Sequence, residues 1–254
     1  MVAERLGASK EHLTERAFDD QSNKLFNFPF LNKKEWLDIP ALDNEIFSIP
    51  DLEHFEIAQQ ENKDSCGLCA AKMVVNTIYK DNNIHKRVSE ADSIKSLLFP
   101  KFSLIKKAIG ITPSQMKTWI QTLIDEQKLP YTTTINHFIS YEQIKNNLKN
   151  WAYIIFTYMG NSIDNPYKTK EGKKNPALQN IHHPHYCILL HIDEKEKKVT
   201  IANPFGYKEE WPFKEFRQRI SLHPDYLHSS KLYLPLVEIG LYMPRSCVVV
   251  SKNT

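Results

Sequence analysis

Residues 60–78 read QENKDSCGLCAAKMVVNTI, and this stretch decides the fold. Apolar side chains recur from Leu68 to Ile78 at intervals of three and four residues, which is the spacing of one face of a helix. Asp64 and Ser65 are residue types that cap helix N-termini, so the pattern predicts a helix that begins at Cys66. A thiol in that first turn lies among unpaired backbone N–H groups, and these favour its thiolate form.

Capping signals and strand patterns further along the chain outline the remaining elements. Thr112 before Pro113 marks one helix start, and Ser140 marks another. Helices are predicted at 88–98, 104–109, 113–127, 141–149 and 212–220, and strands at 131–135, 152–158, 185–192, 198–202, 231–236 and 246–250. Because helices dominate the first half and strands the second, the order predicts an α+β fold with an antiparallel sheet.

Composition divides the chain into an extension and a main domain. Residues 1–50 are polar with isolated apolar clusters, and we expect an N-terminal extension that packs on the main body. Residues 51–254 are expected to form one domain. Within it, the polar segment 159–184 is longer than a compact domain usually tolerates, and we expect this loop to border the functional cleft.

The overall composition excludes several classes of protein. Of 254 residues, 41% are hydrophobic and 25% charged, which excludes collagen-like and disordered chains. A net charge of +3 gives no case for a nucleic-acid or membrane partner, and nothing sets the oligomeric state. Residues 1–12 lack an apolar signal segment, so we expect a cytoplasmic protein unless an export machine reads another signal. Four cysteines in a chain of this size predict reduced thiols.

A cysteine nucleophile needs a base, a group that orients the base, and donors for an oxyanion. Gln60 stands six residues before Cys66, where its side-chain amide can donate toward a carbonyl oxygen, with the Cys66 N–H as second donor. His185 begins an apolar strand, and Asn203 ends the strand predicted to pair with it. Across such a hairpin, the Asn203 amide can orient the His185 imidazole.

Two further residues are predicted to contact a substrate. Gly67 carries no side chain and leaves the approach to Cys66 uncrowded. His183 belongs to the cluster His182-His183-Pro184-His185. The bland interpretation makes His182 and His183 surface loop residues, and the functional one has His183 assist at the site. We expect no metal there, because no acidic or cysteine ligand lies at a familiar spacing, and we expect no cofactor.

The order and spacing of these residues resemble the papain-like cysteine peptidases, and most closely their C39-like branch. The similarity rests on the glutamine six residues before Cys66-Gly67, on His185 with the aromatic and apolar residues after it, and on Asn203-Pro204 after the next strand. It extends over about residues 55–220. The resemblance implies a papain-like α+β fold, in which an N-terminal helical part packs the nucleophile helix on a C-terminal antiparallel sheet.

The same resemblance implies a Cys66–His185 dyad that Asn203 orients, with Gln60 in the oxyanion hole. The chain departs from the family at one position, because C39-like peptidases usually carry aspartate where this chain has Asn203. An amide orients an imidazole without helping to charge it. The C39 peptidases that trim bacteriocin leaders are fused to a membrane transporter, and nothing in this sequence corresponds to one, so we do not expect that role.

Two other interpretations of the segment 66–69 fit less well. In papain and the cathepsins the nucleophile is the second cysteine of Cys-Gly-x-Cys, but with Cys69 in that role the glutamine position falls on Lys63 and the next aromatic position on Ala70. We therefore expect Cys69 to be a buried helix residue. Thioredoxin-like redox pairs share this spacing, but their βαβ context is missing.

These residues predict a hydrolase that cleaves a peptide or isopeptide bond through a thioester on Cys66, with His185 as general base and acid. The partner is then a protein or peptide substrate. The same dyad serves transglutaminase-type and deamidase-type acyl transferases that act on a protein glutamine, and the motifs leave open what attacks the thioester. A non-catalytic binding module on a papain-like scaffold is the alternative from another class, and the presence of all four site residues argues against it.

Overall fold

The computed structural model describes residues 44–50, 52–61, 65–92, 111–137, 139–160, 183–220 and 246–253. The chain divides into the units Met1–Pro40 and Ala41–Thr254, and all described residues belong to the second. The helix predicted at 104–109, the strand predicted at 231–236 and most of the 159–184 loop lie outside the described residues. The extension predicted at 1–50 stays a prediction.

The described residues contain four helices longer than one turn. They are α1 (Cys66–Asp81), α2 (Pro113–Glu126), α3 (Tyr141–Lys149) and α4 (Phe213–Ile220). The predicted capping signals begin two of them: Thr112 and Gln115 form a reciprocal capping box on α2, and Ser140 and Gln143 form one on α3. The helix predicted from residue 88 is described only over its first turn, residues 90–92, where Ser89 Oγ accepts from the Asp92 N–H.

Helix α1 begins at Cys66, as predicted, and is buried on nearly all sides. Ser65 occupies the N-cap position, but its side chain makes no capping hydrogen bond to the helix. Residues on every face are buried. Of the residues expected in the core, only Leu68 is half-buried, and Cys66 at the start of the helix is half-buried too. The helix packs on the sheet and against α2, and this burial stabilises it without a side-chain cap.

The described strands form one seven-stranded antiparallel sheet. They are β1 (Ile46–Ser48), β2 (Tyr131–Asn136), β3 (Tyr153–Gly160), β4 (His183–Asp193), β5 (Lys198–Asn203), β6 (Tyr207–Pro212) and β7 (Cys247–Lys252). Their order is β2-β7-β3-β4-β5-β6, and β1 pairs with the end of β4. The predicted α+β class, with the Cys66 helix packed on an antiparallel sheet, is confirmed.

Two strands were not predicted from the sequence. Strand β6 has the sequence YKEEWP and lies at a sheet edge with mostly exposed or half-exposed side chains, so it lacks the apolar alternation by which strands are recognised. Strand β1 is only three residues long. In addition, β3 and β4 each extend two residues into the segment predicted as the 159–184 loop.

The turn after β5 brings the chain back at a sharp angle. The Gly206 N–H donates to the Asn203 carbonyl oxygen at 2.9 Å, and Gly206 has φ +97°, a conformation that other residues rarely adopt. Strand β6 then pairs antiparallel with β5, with Asn203 opposite Tyr207. No helix among the described residues is long and apolar enough to cross a membrane.

Candidate active site

The structure joins His185 and Asn203 directly. Strands β4 and β5 are neighbours, and the His185 Nε2 atom lies 3.0 Å from Asn203 Oδ1. Both side chains are withdrawn from solvent, with 3% of His185 and none of Asn203 exposed. A hydrogen bond in such surroundings has little competition from water, so it fixes the imidazole firmly.

The contacts of Asn203 decide its amide orientation and the His185 tautomer. The Phe205 N–H can only donate, and it donates to Asn203 Oδ1 at 3.1 Å. On the other side, Asn203 Nδ2 donates to the Glu209 carboxylate at 3.0 Å. Since Oδ1 can only accept, His185 must donate from Nε2, which leaves the basic lone pair of the neutral ring on Nδ1.

Aromatic rings hold the His185 imidazole on two sides. Phe205 stacks on it with ring centroids 4.7 Å apart, and Tyr158 approaches edge-on at 5.5 Å. Tyr158 reaches the site because it pairs with His185 across β3 and β4. Neither ring was predicted as part of the site, although Phe205 follows the predicted Asn203-Pro204 motif directly.

Cys66 is the first residue of α1 and is partly exposed. The next residue, Gly67, is buried, and a Cβ there would collide with the Ile111 side chain and lie 3.0 Å from Tyr186 Cδ2. The first turn of α1 therefore packs directly on the residue after His185. Glycine is needed at position 67 because the helix packs closely there, which differs from the predicted reason, an open approach to Cys66. The contact of Gly67 with a substrate stays a prediction.

Cys69 lies one turn further along α1 and is fully buried, as predicted. Its Sγ atom is 3.4 Å from the Ala58 carbonyl oxygen and 4.0 Å from that of Pro204. Burial raises the pKa of the Cys69 thiol far above its ordinary value, despite the nearby Lys72 ammonium. This thiol therefore stays protonated.

Gln60 lies beside the turn that follows Asn203. Its backbone N–H donates to the Pro204 carbonyl oxygen at 2.7 Å, and the preceding residue, Gln59, forms an antiparallel bridge with Phe205. Only 4% of Gln60 is exposed. The segment before α1 and the turn after β5 are thus tied together by their backbones.

A buried ion pair holds this segment from the other side. Both oxygens of the Glu90 carboxylate lie 3.2 Å from the Glu61 N–H, and Lys72 Nζ lies 3.1 Å from Glu90 Oε1. Burial works to lower the pKa of Lys72, but the hydrogen bond to Glu90 and the nearby negative groups raise it overall. Lys72 therefore keeps its charge, and the Glu90 carboxylate anchors the backbone next to Gln60.

The remaining predicted candidates lie apart from these contacts or outside the described atoms. The backbone of His183 pairs with Gly160, and its side chain and all of His182 are outside the described residues. None of the four cysteines forms a disulfide, and burial raises the pKa of Cys247 to about 12. Among the described residues, no group of three or more His, Cys, Asp or Glu side chains could hold a metal ion.

The chain was compared with known families, sequences and structures. No protein-family profile and no curated protein sequence matches it. Among solved structures, one from Bacillus anthracis described as a C39-like peptidase is 10% identical and has a TM-score of 0.49, covering 83% of this chain and 100% of that one.

Two further structures are more distant. The peptidase domain of Streptococcus ComA, a bi-functional ABC transporter involved in a quorum-sensing pathway, is 10% identical with a TM-score of 0.38, covering 79% of this chain and 100% of that one. The Pseudomonas avirulence protein AvrPphB is 8% identical with a TM-score of 0.25, covering 79% of this chain and 98% of that one. At these TM-scores the similarities add no weight to a functional assignment.

Proposed function

We propose that this chain is a cysteine peptidase-type hydrolase that cleaves a peptide or isopeptide bond through a thioester on Cys66. The observation that carries the proposal is the buried hydrogen bond between His185 Nε2 and Asn203 Oδ1. The close packing of Gly67 on Tyr186 supports it. The residues that follow Cys66 and His185 are therefore in contact. The imidazole that Asn203 orients through Nε2 has Nδ1 as its basic nitrogen, and Nδ1 is the atom that we propose serves the thiol.

The first half of the reaction forms the acyl-enzyme. His185 Nδ1 accepts the thiol proton of Cys66, and the thiolate attacks the substrate carbonyl carbon. The resulting imidazolium keeps its Nε2–H bond to Asn203 and then gives the new proton from Nδ1 to the leaving amine. The C–N bond breaks, and the acyl group remains as a thioester on Cys66.

The negative oxygen that develops during the attack needs fixed donors. The Cys66 N–H points out of the first turn of α1, where the helix itself supplies no acceptor. The Gln60 side-chain amide is the proposed second donor, and the Gln60 backbone bond to Pro204 limits its motion. Water then attacks the thioester with His185 as base, and the carboxylic acid leaves.

A peptide library read by mass spectrometry tests this proposal, with amine donors added in parallel. Cys66→Ala should abolish all cleavage, and His185→Ala should slow it by about 10²–10⁴-fold because general base catalysis is lost. Cys69→Ala is the matched control on the same helix and should retain cleavage, since that thiol is buried and protonated.

Three outcomes would contradict the proposal. Cleavage that persists in Cys66→Ala would show that the nucleophile is elsewhere, and loss of activity only in Cys69→Ala would reverse the assignment on α1. Products that carry the added amine in place of water would show an acyl transferase.

A further inference from the structure

Glu209 on strand β6 binds two donors of the candidate site at once. Its Oε1 atom accepts from Asn203 Nδ2 at 3.0 Å, and its Oε2 atom accepts from the Trp211 indole N–H at 2.7 Å. Residues two apart on a strand share a face, which places Glu209 and Trp211 side by side. Glu209 lies opposite Ile201, so Asn203 is its diagonal neighbour on β5.

We infer that Glu209 is a positioning residue, whose carboxylate holds the Asn203 amide so that Oδ1 faces the His185 ring. This inference rests on the proposed function for its consequence in catalysis, while the contacts themselves stand on the geometry. The chain of hydrogen bonds runs from His185 Nε2–H to Asn203 Oδ1, and from Asn203 Nδ2–H to Glu209. Glu209 thus acts on the imidazole through the amide.

The two donors require a carboxylate at position 209. An ionised carboxylate only accepts, and it offers one oxygen to Asn203 and the other to Trp211. A glutamine amide has one oxygen and one NH₂ group, so in Glu209→Gln one of the two donors must face another donor. Turning the Asn203 amide relieves this conflict and presents Nδ2 to His185, which favours the proton on Nδ1, where the base is needed. The same turn costs the Phe205 N–H its acceptor, so the two amide orientations compete.

The same geometry requires an amide, and not a carboxylate, at position 203. In Asn203→Asp, the new carboxylate would lie about 3 Å from Glu209 Oε1, and two like charges so close are strongly unfavourable. Asn203 and Glu209 therefore form a matched pair in which one residue is an amide and the other a carboxylate. A change at position 209 alone disturbs His185, and a carboxylate at position 203 alone loses its pairing with Glu209.

Exchanging the two groups provides a rescue. In the double variant Asn203→Asp/Glu209→Gln, the carboxylate now at position 203 accepts from His185 Nε2, from the Phe205 N–H and from the amide NH₂ group now at position 209. The oxygen of that same amide accepts from the Trp211 indole, so every donor keeps an acceptor. The exchange restores the pattern with the same number of atoms.

The experiment measures the His185 tautomer and the reactivity of Cys66 in the full chain. Nitrogen-15 chemical shifts of the ring, assigned with His185→Ala, report which nitrogen carries the proton, and iodoacetamide labelling gives the rate at Cys66. At a pH where the ring is neutral, we expect the Nε2–H tautomer in the wild type. Glu209→Gln should show Nδ1–H signal and label about tenfold more slowly, whereas Asn203→Asp should keep the Nε2–H tautomer, because its carboxylate can only accept. The double variant should regain the Nε2–H tautomer and a rate within about threefold of the wild type.

The neighbouring residue Glu210 provides the control for Glu209. Glu210→Gln removes the same charge from the adjacent residue, whose exposed carboxylate pairs only loosely with Lys198 at 3.5 Å, and it should leave both readouts unchanged. A Glu209→Gln variant with a wild-type tautomer and rate overturns the inference, as does a double variant that labels no faster than Glu209→Gln. The tautomer readout needs no substrate. A wild type that holds Nε2–H but cleaves no peptide would therefore contradict the proposed function while this inference stands.

Discussion

Two buried ion pairs of the molecule are built in the same way. In one, Glu90 pairs with Lys72 of α1 and accepts the Glu61 N–H. In the other, just beyond the end of β4, Glu194 pairs with Lys145 of α3 at 3.5 Å and accepts the Glu45 N–H. Each glutamate is 1% exposed, and each ties a helix to a segment that precedes it in the chain.

The two pairs differ in which segment of the chain they fix in place. The Glu90 pair fixes the backbone next to Gln60, which is bonded to the turn after Asn203. Glu194 also accepts from the Tyr141 hydroxyl at 2.8 Å and fixes β1. It lies nine positions along the chain from His185, about 30 Å in an extended strand. One pair therefore supports the candidate site and the other supports only the sheet, so mutations can separate function from stability.

The largest effect is expected for Glu90→Ala. It leaves Lys72 buried with only the more distant Glu61 carboxylate and removes the acceptor of the Glu61 N–H. Urea denaturation should show a loss of about 3–5 kcal/mol in the free energy of unfolding. Cleavage should fall by up to about 10²-fold as Gln60 loses its position. Faster hydrogen exchange at the Gln60 and Glu61 amides would show that this backbone has lost its anchor. Exchange at the wild-type rate would contradict that explanation of the lost activity.

A similar loss of stability without loss of function is expected for Glu194→Ala. The unfolding free energy should again fall by about 3–5 kcal/mol, because Lys145 and the Tyr141 hydroxyl lose a buried partner. At temperatures where the variant is folded, cleavage and Cys66 labelling should stay within about twofold of the wild type, since distant sites act independently. A tenfold loss of activity would show that the two ends of β4 are coupled.

The smallest effects are expected at the exposed ion pairs beside each buried one. Arg87 lies 2.8 Å from Glu56 near the site, and Lys149 lies 2.9 Å from Glu45 near β1, all with substantially exposed side chains. Arg87→Ala and Lys149→Ala should each change the unfolding free energy by less than about 1 kcal/mol. Equal losses at the exposed and buried pairs would refute burial as the origin of the difference.

The elements that the sequence predicted correctly carry local signals. Thr112-Pro113 and Ser140 mark helix starts through bonds made within one turn, so neighbouring residues suffice to predict them. Strand β6 has no such signal, because its charged residues lie at an exposed edge. Without β6, the contact of Glu209 with Asn203 could not be predicted.

The candidate site was predicted only in its outline. The motifs around Cys66, His185 and Asn203 indicated the residue types, and the hairpin between β4 and β5 predicted that the last two would meet. The packing of Gly67 on Tyr186 and the ion pair between Lys72 and Glu90 depend on how α1 rests on the sheet. Contacts between residues far apart in the chain leave no repeating pattern in the sequence, so these two could not be predicted.

Limited alkylation of the native chain across pH tests the central claim most directly. A low dose of iodoacetamide should label Cys66 alone, well below the ordinary thiol pKa of about 8.5. Cys69 and Cys247, whose pKa values burial raises, should stay unlabelled. His185→Ala should abolish the low-pH labelling of Cys66. Labelling of Cys66 only near pH 8.5, or labelling at low pH that is unchanged in His185→Ala, would contradict an activated Cys66–His185 pair.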